Sequence, residues 1–211
     1  MFIDEKRRRP GRPEGTKILR RRYMTAEELE RFMKAARRAG KKYGLLFALT
    51  YYYALRVGEV VRLKLTDFNL DQHQLTIRPE KSGRERTYDL HERIEYKYKR
   101  WLDERAARPD AAENPFVFPH LKITRTDHMT KDAAQAEFRV LARKSKVGMP
   151  RSVHDLRHSR AQEMIRAGDD LATIKKWLRH RDIASSKAYL DDEEDSEHEK
   201  KIAARSTRFL R

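Results

Sequence analysis

The most informative stretch of this chain is HDLRHS, residues 154–159. It lies at the start of a predicted helix over residues 153–167, and Gly168 is predicted as the cap that separates this helix from another over 170–179. His154 and Arg157 are three residues apart, so their side chains share one face of the helix. The stretch therefore predicts a polar site built on a helical frame.

Working outward, other segments supply polar groups that suit the same site. They are Ala54–Glu59 with Arg56 at its centre, a turn that begins with Lys81, the stretch Trp177–His180, and Tyr189 nine residues later. Each segment alone is a weak signal. Together they indicate one constellation of two arginines, a lysine, two histidines and a tyrosine.

The rest of the pattern is mainly helical with one small sheet. Thr25 and Glu28 form a capping box for a first helix. Residues 44–55 are apolar almost all round, which predicts a buried helix, and a short amphipathic helix follows Gly58. Residues 74–78 and 86–90 alternate like the strands of a hairpin whose turn is Lys81-Ser82-Gly83. Further helices are predicted around Trp101 and over 130–146. The expected fold class is α+β, mainly α with a small antiparallel sheet.

The charge of the chain indicates a polyanionic partner. Lys and Arg number 49 against 33 acidic residues, which gives a net charge of +16 and a pI near 10.1. Such an excess is typical of nucleic-acid binding, although a solvated basic surface has the same composition. With no cysteine, disulfides, thiolate metal sites and a cysteine nucleophile are excluded. We expect a cytoplasmic, nucleoid-associated protein, because no apolar run of membrane-spanning length and no signal peptide pattern occurs.

Residues 1–22 are predicted to form a flexible basic arm. Within it, Arg9-Pro10-Gly11-Arg12-Pro13 is similar to short segments that lie in a narrow A·T minor groove, which makes Arg9 and Arg12 candidate DNA contacts. The alternative is a solubilising tail. The expected division is an arm over 1–22, a folded domain over 23–190 and a tail over 191–211.

In order and spacing, these segments resemble the tyrosine recombinase or phage integrase family. That family shows an arginine in a G-L-R-x-x-E-L setting, a lysine on a β-hairpin, H-x-x-R, a late L-G-H histidine and a closing tyrosine. The matching residues here are Arg56 with Glu59, Lys81, His154 with Arg157, His180 and Tyr189. The layout is similar to that of the short recombinases that invert fimbrial promoters, because little chain precedes the first predicted helix. The core-binding domain of most relatives is therefore expected to be missing, and the basic arm to compensate in part.

The resemblance implies a role for each residue. Tyr189 would attack a DNA phosphodiester, Arg56 and Arg157 would clamp its oxygens, and His180 would donate a further hydrogen bond. Lys81 would protonate the leaving 5′ oxygen and His154 would act as the base. Glu59 and His158 would support these groups. No metal and no cofactor are expected, since religation draws on the retained phosphotyrosyl bond.

Other interpretations of these residues remain open at this point. Arg56 and Glu59 also fit a surface i,i+3 pair, Lys81 fits a soluble turn, and Tyr189 fits a core tyrosine. His154 and His158 are spaced like two ligands of a zinc enzyme, but no third ligand at suitable spacing is apparent. The family's glycine before the late histidine is Arg179 here, which would shift His180 or add a phosphate contact.

The sequence thus predicts site-specific recombination of double-stranded DNA at inverted-repeat core sites. The resemblance implies that residues 23–190 are the catalytic domain, that four copies assemble on DNA as a homotetramer, and that the tail over 191–211 is exchanged between neighbouring subunits. Accessory DNA-bending proteins are possible partners, and the expected outcome is integration or another rearrangement of a mobile element. Two rivals remain: a type IB topoisomerase, and a DNA-binding module whose catalysis has decayed.

Overall fold

The computed structural model describes residues 23–80, 85–111, 113–120, 127–148 and 152–179. Within these ranges lie seven α-helices, Ala26–Ala39 (α1), Lys41–Tyr52 (α2), Val57–Val61 (α3), Glu92–Ala106 (α4), Lys131–Lys144 (α5), His154–Arg166 (α6) and Leu171–Leu178 (α7). The three described strands are Phe68–Asn69 (β1), Gln74–Ile77 (β2) and Arg86–Asp89 (β3). The mainly helical α+β class predicted from the sequence is confirmed. No helix in these ranges combines the length and the apolar character needed to cross a membrane.

Helices α1 and α2 form a hairpin at the centre of the domain. The predicted capping box is present, since the Thr25 hydroxyl accepts from the Glu28 amide while the Glu28 carboxylate accepts from the Thr25 amide. Gly40 joins the helices at φ 135°, a conformation that glycine adopts readily. Helix α2 is buried on nearly every side, as predicted, but it spans 41–52 rather than 44–55. The apolar run marks burial and does not mark the helix ends, so the predicted bounds were wrong by three residues.

The sheet is a small antiparallel one with the order β1-β2-β3. Strands β2 and β3 pair with Leu75 opposite Tyr88 and Ile77 opposite Arg86, which confirms the predicted hairpin strands to within one residue. Strand β1 was not predicted, because two residues are too short to show an alternation. The hairpin turn at 81–84 lies outside the described residues.

The core has two parts, and the smaller one positions the site. Phe32, Phe47 and Phe138 pack with ring centroids 4.9–6.0 Å apart in the main core, which fixes α1 and α2 on α5. A smaller cluster of Ala54, Ala161, Met164, Ile174 and Leu178 joins the end of α2 to α6 and α7. The start of α6, the end of α7 and the α2–α3 corner therefore meet in one place.

Candidate active site

The corner between α2 and α3 provides the first elements of the site. Helix α2 stops at Tyr52, and Ala54 takes a positive φ of 48°, so the carbonyls of Tyr53 and Ala54 are open to side-chain donors. Arg56 then caps α3, and its amide donates to Glu59 Oε2 at 2.8 Å. Its guanidinium also donates to Glu59 Oε1 at 3.1 Å, while 39% of the Arg56 side chain stays exposed. The i,i+3 pair suggested by the sequence is thus present, with a buried carboxylate and a half-exposed guanidinium.

Arg157 brings α6 onto this corner. Its side chain is 1% exposed, and its Nη1 donates to the Ala54 carbonyl at 2.5 Å. Its Nη2 donates to the carbonyl of Leu178, the last residue of α7. The forked guanidinium therefore fastens α7 to the α2–α3 corner. In this arrangement both Nη groups contact backbone carbonyls, so a phosphate would have to replace or share these partners.

Arg179 is the third guanidinium of the site, and its side chain turns inward. The residue follows α7 in the left-handed conformation, with φ 55°. Its Nη2 donates to Glu59 Oε2 and to the Ala54 carbonyl, both at 2.9 Å, and only 7% of the side chain is exposed. Its Nη1 contacts the Tyr53 carbonyl at 3.0 Å and the Tyr88 hydroxyl at 3.2 Å. These partners are all protein groups, so the DNA contact expected of Arg179 stays a prediction.

Glu59 balances the charge of these arginines. Its carboxylate is fully buried, which by itself would raise its pKa. The positive charge of Arg179, the Arg56 amide bond and the charge of Arg157 outweigh burial and hold the pKa of Glu59 below its ordinary value. Glu59 therefore stays ionised, and it accepts hydrogen bonds from Arg56 and Arg179. The supporting role expected of it stays a prediction.

The two histidines of α6 lie next to each other. The rings of His154 and His158 are 4.9 Å apart at 80°, in an edge-to-face contact. Partial burial, followed by the charges of Arg157 and Arg56, lowers the pKa of His154 below 6.5, and Glu59 opposes this only in part. His154 is therefore neutral at pH 7 and able to accept a proton. Because the charges of Arg157, Arg56 and Glu59 all shift this pKa, these three side chains lie near the His154 ring.

The remaining predicted residues lie outside the described ranges. These are Lys81, His180, Tyr189, Arg9 and Arg12. The residues that flank two of them do lie at the site. Glu80, which precedes Lys81, accepts a bond from Lys131, and its carboxylate lies so close to Gly58 that a Cβ at that position would displace it. Arg179, which precedes His180, contacts Glu59 as described above. Among the described residues, no group of three or more metal-ligating side chains is arranged to hold a metal ion.

Beneath the site lies a layer of charged and aromatic side chains that the sequence patterns did not predict. Arg160 lies over the rings of Tyr52 and Trp177, at 5.3 and 5.7 Å from the centroids, and donates to Glu163 at 2.7 Å. The Trp177 indole donates to the Tyr52 carbonyl at 3.1 Å, so Trp177 anchors α7 as the sequence predicted. The i,i+3 spacing of Arg160 and Glu163 was the available signal. Their burial depends on the distant α2 and was not visible in that spacing.

Replacing Arg179 by glycine is expected to make the domain more sensitive to acid. Glycine relieves a left-handed arginine by about 1 kcal/mol, but the change removes the main charge that lowers the pKa of Glu59. A depressed carboxyl pKa stabilises the fold above the unfolded value of the pKa, and this stability is lost as the pH falls through the folded value. The acid unfolding midpoint of Arg179→Gly, followed by circular dichroism, should therefore move to higher pH.

Lys146→Gly is the matched control for this experiment. Lys146 also has a left-handed backbone, with φ 54°, and its side chain is exposed. The substitution relieves the same strain without touching Glu59. Equal acid midpoints for the two variants would show that Arg179 does not hold the charge of Glu59.

This chain is similar in sequence to known proteins over most of its length. Residues 22–196 match the phage integrase family. The tyrosine recombinase XerA of Pyrococcus horikoshii is 27% identical over 168 residues, which cover 79% of this chain and 55% of that protein. The chain thus spans about half the length of the relatives it matches.

Two solved structures share the fold. The XerA recombinase superposes with a TM-score of 0.69 at 24% identity, over 79% of this chain and 59% of that one. The XerH site-specific recombinase, bound to its difH substrate before cleavage, superposes with a TM-score of 0.67 at 23% identity, over 81% and 50%. Arg56, Glu59, His154 and Arg157 all lie inside the span that matches the family.

Proposed function

Because the chain belongs to the phage integrase family, we propose that it performs site-specific DNA recombination through a covalent 3′-phosphotyrosyl intermediate on Tyr189. The observation that carries the proposal is the convergence of Arg56, His154 and Arg157 around the buried Glu59. These residues come from segments about 100 positions apart. A site that processes DNA needs its cations and its neutral imidazole close together. Unrelated surface charges would have no reason to converge on one buried carboxylate.

The proposed cleavage starts with the phenol of Tyr189. A free tyrosine has a pKa near 10, so only about one molecule in a thousand is ionised at pH 7 and a base is needed. His154 takes the proton as the phenol oxygen attacks the phosphorus. The bond from phosphorus to the 5′ oxygen breaks, and Lys81 donates a proton to that oxygen. Attack by a 5′ hydroxyl reverses these steps and rejoins the strand, so no ATP is consumed.

The arginines stabilise the charge that builds on the phosphate. Arg56 is half-exposed and keeps donors available beyond its bond to Glu59. Arg157 supplies a second fork once its Nη groups turn from the carbonyls of Ala54 and Leu178 to phosphate oxygens. His180 adds a hydrogen bond. Glu59 and Arg179 fix the positions of the Arg56 and Arg157 guanidinium groups and are positioning residues in this scheme.

The proposed partner is double-stranded DNA with inverted-repeat core sites, bound by four copies of the chain. The XerH structure and a lambda integrase dimer on a core site show recombinases of this fold with DNA. The net charge of +16 supports the same partner for this chain. Arg9 and Arg12 would add minor-groove contacts, accessory DNA-bending proteins would set the direction, and the DNA would belong to a mobile element.

Covalent capture tests the function without knowledge of the target. A library of nicked duplexes, each with an inverted repeat of random sequence, is incubated with the protein, and SDS-resistant adducts are recovered and sequenced. We expect one sequence family to be enriched, with DNA joined through its 3′ phosphate and a free 5′ hydroxyl. Relaxation of supercoiled plasmid without sequence enrichment would identify a type IB topoisomerase instead. Specific binding with no adduct would identify a DNA-binding module.

The rate of cleavage should be insensitive to pH around neutrality. Since the pKa of His154 is lowered below 6.5, the base is already unprotonated at pH 7. The single-turnover rate should therefore fall only when the pH drops below 6.5, and His154→Gln should remove that acid limb and leave a slow, flat profile. His73→Gln is the control, because His73 lies between β1 and β2 and its ring contacts Glu95 of α4 at 2.8 Å. An unchanged acid limb in His154→Gln would exclude His154 as the base.

A further inference from the structure

Two cavities flank the C-terminal half of α1, and both are lined by cations. The larger one, of about 580 Å³, lies between α1 and the end of α5. Its five cations are Arg31, Lys34, Arg38, Lys144 and Lys146. Arg31 forms part of the floor, because its guanidinium donates to the carbonyls of Ser145 and Lys146 at 3.0 and 3.3 Å.

The smaller cavity lies on the other side of α1, against α2 and α4. Its volume is about 160 Å³, and its four cations are Arg37, Lys41, Lys97 and Arg100. Tyr96, which is 60% exposed, completes the wall and lies under the Arg100 guanidinium at 5.7 Å from the ring centroid. Consecutive residues of α1, Arg37 and Arg38, thus line opposite cavities.

Among the described residues, neither cavity has a carboxylate in its lining, and this distinguishes both cavities from a third one. The cavity beside α3 also contains cations, among them Arg62, Lys64 and Arg78, but they are interleaved with Glu59, Asp67 and Asp127. Lys41 forms an ion pair with Glu104 at 3.8 Å, and Glu104 is not part of the cavity lining. Cations in the last turn of a helix stabilise its dipole, which accounts for Arg37 and Arg38. Lys97 and Arg100 lie in the middle of α4, where that explanation does not apply.

The protonation of Lys97 reflects this excess of positive charge. Burial, followed by the charges of Arg37, Arg93 and Arg100, lowers the pKa of Lys97 to about 8. The nearby groups on α2 and on the far part of α4 are Lys41 and Glu104, which pair with each other. On α1, the carboxylate of Glu30 acts on Arg37. An anion in the smaller cavity would raise the pKa of Lys97, because an opposite charge favours the charged form of an amine.

The two cavities lie away from the active site. Helix α1 starts beside α6, where the Met24 amide donates to the Ser159 hydroxyl at 2.9 Å. Helix α2 ends beside α7, where Tyr52 accepts from Trp177 at 3.1 Å. The other ends of α1 and α2, which meet at Gly40, are therefore one helix length distant, about 18 Å for 12 residues. The two cavities therefore lie at the opposite end of the α1–α2 hairpin from Arg56.

We propose that the cations of the two cavities form a second DNA-binding surface, which holds the phosphate backbone of a duplex other than the one being cleaved. We call it the α1 basic surface. The cavities lie on either side of one helix, about 10–12 Å wide, and a major groove about 12 Å wide separates the two phosphate backbones. Each cavity thus takes one backbone. The guanidinium groups of arginine match the geometry of phosphate oxygens. The choice of DNA as the bound polyanion rests on the proposed function.

The test uses the full chain and two short duplexes of unrelated sequence. One duplex is fixed to beads and the other is fluorescent, so retention of fluorescence reports that the protein holds both. Lys97→Gln/Arg100→Gln removes two charges from the α1 basic surface. Lys99→Gln/Arg139→Gln removes the same charges from exposed positions outside both cavities. We expect the first variant to lose retention and the control to keep it. The salt slope of log K for one duplex should shrink by about 2 in the first variant only.

Several results would overturn the proposal. Retention by the first variant equal to wild type would show that any second duplex is held by another copy's active-site face. Equal losses in both variants would reflect net charge alone. A peptide of residues 191–199, which is strongly acidic, serves as competitor. Binding of that peptide by wild type but not by the first variant, with retention of DNA unchanged in both, would assign the surface to an acidic protein segment. None of these readouts requires cleavage, so a failure of the covalent capture experiment is separate.

Proton uptake gives a second measurement. At pH 8 a group with a pKa of about 8 is half protonated. A bound phosphate opposes the charges of Arg37, Arg93 and Arg100 and raises the pKa of Lys97, so the amine takes up a fraction of a proton. Calorimetric titration of wild type with a duplex, in two buffers of different ionisation enthalpy, should show this uptake. Lys97→Arg, which keeps the charge, should not show it. No uptake by wild type, or equal uptake by Lys97→Arg, would contradict phosphate binding at Lys97.

Discussion

Tyr189→Phe should bind DNA as wild type does and form no covalent adduct. Phenylalanine keeps the ring and removes the only oxygen able to attack phosphorus from that position. Loss of a covalent nucleophile removes the chemical step, so the single-turnover rate should fall by at least about 10⁴-fold. The measurement is the fraction of nicked duplex that resists SDS and migrates with protein, at a DNA concentration that saturates both proteins.

Tyr43→Phe is the control for this experiment. Tyr43 is a partly buried residue in the first turn of α2, at the far end of that helix from Arg56. Its loss should leave adduct formation unchanged. An adduct that forms normally with Tyr189→Phe would show that another tyrosine is the nucleophile, and peptide mapping of the adduct would identify it.

Arg157→Lys should lose most of the cleavage activity even though the charge is kept. An ammonium group cannot place two parallel donors on a phosphate, and removal of one positioned donor to a transition-state oxyanion costs about 10²–10³-fold in rate. The folded state also loses a bond. Ala54 keeps the Arg179 donor at 2.9 Å, so Leu178 is the carbonyl left without its guanidinium partner. We expect a loss of about 1–3 kcal/mol in the free energy of unfolding.

The two effects can be measured separately. Urea unfolding gives the stability, and single-turnover cleavage at a temperature where both proteins are fully folded gives the rate. Arg166→Lys serves as control, because Arg166 lies at the other end of the same helix, where it contacts the hydroxyl and the ring of Tyr23. Cleavage by Arg157→Lys within a few-fold of wild type would contradict a bidentate role for Arg157.

Much of the frame of the site was predictable from local patterns. The capping box at Thr25 and the strands at Leu75 and Tyr88 are set by neighbouring residues, and they appear where the sequence placed them. The i,i+3 spacing correctly placed Arg56 beside Glu59. Helices and hairpins are decided by residues a few positions apart, so a single sequence contains the information that specifies them.

The direction of Arg179 was not predictable in the same way. Its inward position depends on carbonyls exposed by the end of α2 and by the left-handed Ala54, both about 125 residues away. An arginine after a helix has no local preference for these acceptors over a phosphate. The burial of Arg157 has the same origin, since its acceptors lie 103 and 21 residues away. Long polar side chains take their direction from tertiary neighbours, which periodicity does not report.

The Ala54 carbonyl, which accepts from both Arg157 and Arg179, has a consequence for the order of events during synthesis. A ribosome releases α1, α2 and α3 long before residues 157 and 179 are made, so the α2–α3 corner first exists with this carbonyl unoccupied. Closing loops of more than 100 residues is slow compared with forming local structure. The site is therefore completed only after α7 has been translated and docked. A nascent chain therefore carries the α1–α2 hairpin well before it carries the complete site.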